Sequence, residues 1–108
     1  MTDEQFADAL NKTINEHMSD TSFNAGIVTR KLNISHTLLL KKMDRLLGTN
    51  FDTYVMRIKM SIVQDKLENT DDELDKIAQE TGYTNVELMN SSFKHVTGKT
   101  VWSVREKS

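Results

Sequence analysis

Two segments decide the fold: ISHTLLLKKMDRLLG at residues 34–48 and TNVELMNSSFKHVTG at residues 84–98. Each places apolar residues at three- and four-residue spacing, carries basic side chains, and stops at a glycine. That spacing is the signature of an amphipathic helix, and a terminal glycine supplies the left-handed residue on which helices commonly end.

Working outward, the rest of the 108-residue chain reads the same way. Proline is absent, alternating β-branched runs are missing, and helix formers dominate, so the expected class is all-α, with about seven helices. Thr2 and Gln5 have capping-box spacing ahead of Phe6, Leu10, Ile14 and Met18 on one helical face. Ser22 or Asn24 opens a short helix through Val28 and Leu32. Ser35 caps the next, with Leu39, Met43, Leu46 and Leu47, and Gly48 stops it. Asn50 caps a long helix whose inner face is expected to read Tyr54, Val55, Ile58, Ile62, Val63 and Leu67. Asp72 is expected to start a fifth helix through Leu74, Ile77 and Ala78. Leu88, Met89, Phe93 and Val96 define a sixth, and Thr100 caps a last piece holding Trp102. Tyr83 and Trp102 are expected to be core or interface aromatics.

Length and a hydrophobic fraction of 37% suit one compact domain. With six Met and no Cys, disulfides and thiolate metal sites are excluded. No apolar run approaches the roughly 20 residues of a membrane span, and MTDEQF lacks the order of a signal peptide, so a cytoplasmic location without a membrane partner is expected. His17, His36 and His95 fall on different expected helices without ligand spacing, so neither metal nor other cofactor is expected. The acids of TDDELDK suit the start of a helix and lack the spacing of a calcium loop. No catalytic constellation can be assembled, and the chain is not expected to be an enzyme.

Charge is unevenly placed although it sums to only -2. Over 1–28, Lys12 faces Asp3, Glu4, Asp8, Glu16 and Asp20, a net of -4. Over 29–45, Arg30, Lys31, Lys41, Lys42 and Arg45 face Asp44 alone, a net of +4. Residues 46–83 return to -4 and the remainder to +2. Positive charge therefore accompanies the two quoted segments, where it would serve a polyanion.

Superposing the chain on itself explains the recurrence. At an offset of 49, Val28 meets Ile77, Thr29 meets Ala78, Asn33 meets Gly82 and Ser35 meets Thr84. After one inserted residue the offset is 50, pairing Leu39 with Met89, Met43 with Phe93 and Gly48 with Gly98. Each copy is a short helix, a tight turn and a longer helix, the helix-turn-helix arrangement. The expected division is a first unit at 23–48, a linker helix at 51–68 and a second unit at 73–98.

DDELDKIAQETGYTNVELMNSSFKHVTGKTVWSVR, through Ile77, Ala78, Gly82, Tyr83, Phe93, Lys94, Gly98 and Arg105, resembles the signature of AraC/XylS-type transcription regulators. The first unit is similar through Leu32, Ser35, Leu39, Lys41, Gly48 and Tyr54. The resemblance implies two helix-turn-helix units joined by a long helix, at the C-terminus of a larger regulator such as a hybrid two-component protein. It further implies double-stranded DNA as partner, with RNA polymerase and a sensor or receiver domain of the same parent chain. An excised output domain or a truncated member is expected. Departures are local: Leu88, Met89, Asn90 and Ser91 stand where the family has an aromatic pair, then Ser and Arg. Val101 replaces a Pro, Thr29 a small Ala, and Asn33 a turn Gly, though Asn tolerates a left-handed backbone.

The N-terminal part of the second helix of each unit enters the major groove. Candidate base contacts are therefore His36, Thr37, Leu40 and Lys41 in the first unit, and Asn85, Glu87, Asn90 and Ser91 in the second. Lys41 suits guanine O6 or N7, Leu40 and Thr37 a thymine methyl, Asn90 adenine, and Glu87 the cytosine amino group. Arg30, Lys42, Arg45, Lys94 and Lys99, with the amides behind Ser35 and Thr100, suit phosphates. The alternative is a helix-turn-helix fold repurposed for protein interaction, favoured by net acidity, by Ser91 in place of arginine, and by Leu38 and Leu40.

Overall fold

A computed structural model describes residues 1–107, which form seven helices and no strand. These are α1 (Asp3–Glu16), α2 (Ala25–Leu32), α3 (His36–Leu47), α4 (Phe51–Asn69), α5 (Leu74–Glu80), α6 (Val86–Thr97) and α7 (Val101–Lys107). The all-α expectation holds. The chain forms two compact units, one of Met1–Met18 with Ser22–Val55, the other of Ser19–Thr21 with the chain from Met56 onward.

In the first unit, Thr2 and Gln5 close the capping box: Gln5 N–H donates to Thr2 Oγ1 at 3.1 Å and Thr2 N–H to Gln5 Oε1 at 2.8 Å. This fixes the start of α1, whose Phe6, Leu10 and Ile14 are buried at four-residue spacing. Helix α1 packs on α2, and α2 on α3. Asn24, rather than Ser22, caps α2. Val28, Leu32, Leu39 and Met43 supply the buried faces of α2 and α3. Tyr54 donates its hydroxyl to Asn11 Oδ1 at 2.6 Å, tying the first turn of α4 to α1.

The second unit is built on Met60, Val63, Leu67, Ile77, Ala78, Met89, Phe93, Val101 and Val104, with Tyr83 and Val86 packed partly buried against them. Helix α6 turns only Met89 and Phe93 fully inward. Leu88 and Val96, expected to share that face, are exposed. Trp102 is exposed too.

Two expectations need correction. Phe51 and Met60 are buried on α4, while Tyr54, Ile58 and Ile62 are only half-buried. Phe51 and Val55 lie four apart, and Met60, Val63 and Leu67 three and four apart, but Val55 to Met60 is a step of five. At 3.6 residues per turn the buried stripe jumps around the helix at that step, so one continuous inner face does not describe it. Nor does Asp72 open α5, whose N-cap position is Glu73 without a side-chain cap bond. The Asp72 carboxylate is instead drawn to Lys76 at 3.4 Å and Lys66 at 3.9 Å.

Candidate nucleic-acid interface

The two turns are built alike, bond for bond. In the first, Asn33 takes the left-handed conformation at φ 54° and Ile34 N–H donates to Thr29 O at 3.1 Å. In the second, Gly82 takes φ 81° and Tyr83 N–H donates to Ala78 O at 2.9 Å. Both are the six-to-one closure of a left-handed helix end. Asn tolerates that backbone because its short polar side chain bonds locally. This explains why Asn33 does the work of a glycine.

The next helix then starts under a side-chain cap. Ser35 Oγ accepts Leu38 N–H at 3.1 Å, and Asn85 Oδ1 accepts Leu88 N–H at 2.8 Å. The partner of Ser35 is thus Asn85, not Thr84, and the inserted residue lies within the turn rather than after it. Gly48 at φ 65° and Gly98 at φ 75° end α3 and α6. The correspondence continues: Asn50 Oδ1 accepts Thr53 N–H at 2.8 Å, and Thr100 Oγ1 accepts Ser103 N–H at 3.1 Å. One scaffold has therefore been written twice, down to its caps.

On α3, His36, Thr37, Leu40 and Lys41 are all exposed and lie together in the first two turns. Arg30 is exposed in the last turn of α2. Arg30 and Lys41 make no ion pair among the described residues. Lys42 and Arg45 are engaged: the Lys42 ammonium sits 5.5 Å from the Phe6 ring centre, and Arg45 Nη2 donates to Asp3 Oδ1 at 3.1 Å. Helix α1 therefore holds two of the cations assigned to phosphate. These partners lie more than thirty-five positions away in sequence, and no local signal announces them.

On α6, Glu87 and Ser91 are exposed, as are Lys94 and, after the helix, Lys99, both without an ion pair among the described residues. Glu87 in the first turn suits the positive end of the helix dipole. The Asn85 carbonyl is occupied by its cap bond, leaving the amide NH2 to face outward chemistry. Asn90 is half-buried, and its Oδ1 accepts Val101 N–H at 2.9 Å, which pins the start of α7 to α6. A paired adenine contact needs both ends of that amide, so Asn90 brings at most its NH2 to a base.

Arg105, which carried part of the family resemblance, has a structural task. Its guanidinium donates to Leu67 O at 3.2 Å and Lys66 O at 3.4 Å in the last turn of α4, and to Asp72 O at 2.7 Å in the connection to α5. Leu67 O is a carbonyl of the kind that a helix end leaves without an intrahelical partner, whereas Lys66 O also accepts from the Thr70 N–H and hydroxyl. Nearby, the hydrogen bond to Glu80 holds the Lys66 ammonium above its ordinary pKa, against the opposing effect of burial. Lys59 shifts the other way: burial lowers it, with the Asp20 carboxylate pulling back, while its ammonium lies 5.4 Å from the Tyr83 ring centre. The two shifts oppose each other: the Glu80 bond favours the charged form of Lys66, whereas burial disfavours that of Lys59.

Among the described residues, no group of three or more His, Cys, Asp or Glu could hold a metal ion. No described helix is long and apolar enough to cross a membrane.

Paired helix-turn-helix units, each presenting the exposed first turns of its second helix, define a class: DNA-binding domains of transcription regulators. The helix-turn-helix domain family matches residues 28–107, and the chain belongs to that family as a DNA-binding domain of the AraC type. Solved structures share the fold. The C-terminal domain of AraT, a response regulator from Geobacillus stearothermophilus, superposes with a TM-score of 0.86 at 23% identity, over 95% of this chain and 84% of that one. The C-terminal domain of the two-component response regulator yesN from Fusobacterium nucleatum gives 0.83 at 22%, over 92% and 96%. The DNA-binding domain of AdpA, described as a global transcriptional factor and solved with a target DNA, gives 0.83 at 17%, over 94% and 90%. No curated protein is similar enough in sequence to count as a relative.

Proposed function

We propose that this domain reads a specific DNA site by placing α3 and α6 in adjacent major grooves, as units 23–48 and 73–98 joined by the 51–68 helix. The observation that carries the reading is the duplicated turn, with cap, left-handed residue and terminal glycine repeated, each copy presenting exposed side chains in the first turns of α3 and α6. In α3, His36, Thr37, Leu40 and Lys41 contact bases, with Lys41 donating to guanine. In α6, Glu87 and Ser91 do so, with the free NH2 groups of Asn85 and Asn90. Arg30, Lys42, Lys94 and Lys99 contact phosphates and set register without reading sequence, and Arg45 joins them when Asp3 releases it. The more basic first unit supplies most affinity, and the second fixes register.

Two neighbours are C-terminal domains of response regulators, which supports a role as a cytoplasmic output domain that answers a sensor or receiver domain and engages RNA polymerase, without catalysis of its own. Selection of bound duplexes from a random pool at moderate salt tests the reading. The expected result is an enriched site with two protected segments one helical turn, roughly 34 Å, apart. A folded domain that binds no duplex even at low salt would transfer the function to protein interaction.

A further inference from the structure

Between residues 35–50 and 85–100, aligned through their caps, only two positions are identical: Gly48 with Gly98, and Leu38 with Leu88. The glycines are accounted for by their left-handed backbones. The leucines are not accounted for by the core, because Leu38 is 40% exposed and Leu88 51%. Every other exposed position in the first two turns has diverged: Thr37 faces Glu87, Lys41 faces Ser91, and Leu40, 42% exposed, faces Asn90.

The backbone at the shared position is also held the same way. Leu38 and Leu88 are the residues whose N–H groups bond to the cap side chains, so each leucine sits on the most firmly fixed part of its helix tip. A leucine side chain has no hydrogen-bonding capacity. In the major groove, the one apolar feature that distinguishes a base pair is the thymine 5-methyl group. Around the leucines, the means of reading guanine are sparse. Residues 36–43 and 86–93 contain no arginine, and 86–93 carry no basic side chain at all.

Resting on the DNA-binding reading above, we propose that Leu38 and Leu88, with Leu40 beside the first, read thymine methyl groups, so that the preferred site is thymine-dependent at both contacted segments. Each helix tip then desolvates an exposed leucine against a methyl, which guanine and cytosine do not offer. Burying one methyl-sized group is worth about a fourfold change in affinity.

Replacing thymine by deoxyuridine removes that methyl and leaves base pairing intact. The full domain is titrated with its selected duplex and with duplexes carrying single uracil substitutions. Contacted thymines should each weaken binding about fourfold when demethylated. Leu38→Ala combined with Leu40→Ala should then bind thymine and uracil equally at the α3 segment while keeping the preference at the α6 segment, and Leu88→Ala should do the reverse. These leucines are exposed and alanine favours helix, so the variants keep their fold, as circular dichroism would check. A fully uracil-substituted duplex bound as tightly as the thymine duplex would overturn the thymine assignment and leave DNA binding standing. Methyl sensitivity that survives these leucine replacements would overturn the role of the leucines. A folded domain that binds neither duplex at low salt would remove the DNA-binding reading and this one with it.

Discussion

Asp3→Asn is expected to strengthen, not weaken, the salt dependence of DNA binding. In the free domain Arg45 donates to Asp3 at 3.1 Å, and both side chains are more than half exposed. An exposed pair of this kind contributes only about 0–1 kcal/mol, so its loss should barely change stability. Asparagine also suits the start of a helix. What changes is the set of cations free to displace counterions. With Arg30, Lys42, Lys94 and Lys99 acting alone, the slope of log affinity on log salt is about -3.6; with Arg45 added it is about -4.5. Between 50 and 200 mM salt the fall is then about 150-fold for the parent and about 500-fold for the variant. Fluorescence anisotropy on one labelled duplex, at four salt concentrations, resolves the two. Arg45→Ala supplies the control: with the arginine gone, Asp3→Asn should leave the slope near the parent value. Equal slopes for parent and Asp3→Asn would refute the idea that α1 withholds a phosphate-binding cation.

Other substitutions separate reading from scaffolding. Lys41→Ala should lose roughly 1–3 kcal/mol on the preferred duplex and much less on random DNA, measured by competition titration. Asn90→Ala should lower stability by about 1 kcal/mol through the lost bond to Val101 N–H, seen as a lower urea midpoint, and should cost less preference among duplexes than Lys41→Ala does. Gly98→Ala should destabilise by about 1 kcal/mol from left-handed strain alone, since nothing lies within 4 Å of an added Cβ. Arg105→Ala, which removes three hydrogen bonds and leaves Leu67 O and Asp72 O without this donor, should exceed either, at about 2–3 kcal/mol in the same urea titration.

The fold was legible where a local rule suffices. Thr2 with Gln5, Asn24, Ser35, Asn50 and Thr100 all cap as their residue types and positions suggest, and Gly48 and Gly98 stop their helices. Legibility failed where one side chain has two suitors. Asp72 has the chemistry of a cap, but Lys66 and Lys76 claim its carboxylate, and α5 begins without it. Met60 was missed because α4 does not keep one apolar stripe along its length, and a search for a single periodic face discards the residue that starts the second stripe.

The site was half legible for a related reason. Periodicity separates Leu39 and Met43 from His36, Thr37 and Lys41, because the first pair repeats at core spacing and the others fall between. It does not say what an outward side chain is already holding. Asn90 looks like a base reader until α7 is placed beside it, and Arg45 looks like a free cation until α1 is. In both cases an element outside the helix-turn-helix unit takes a polar group from the reading helix. Groups with nothing to exchange in this way are the leucines, which form no hydrogen bond or ion pair with their side chains. A duplicated scaffold that has let its polar surface diverge while keeping one exposed leucine in both copies has, on this view, kept the contact that no neighbouring element could absorb. The thymine methyl is the base feature such a contact can recognise.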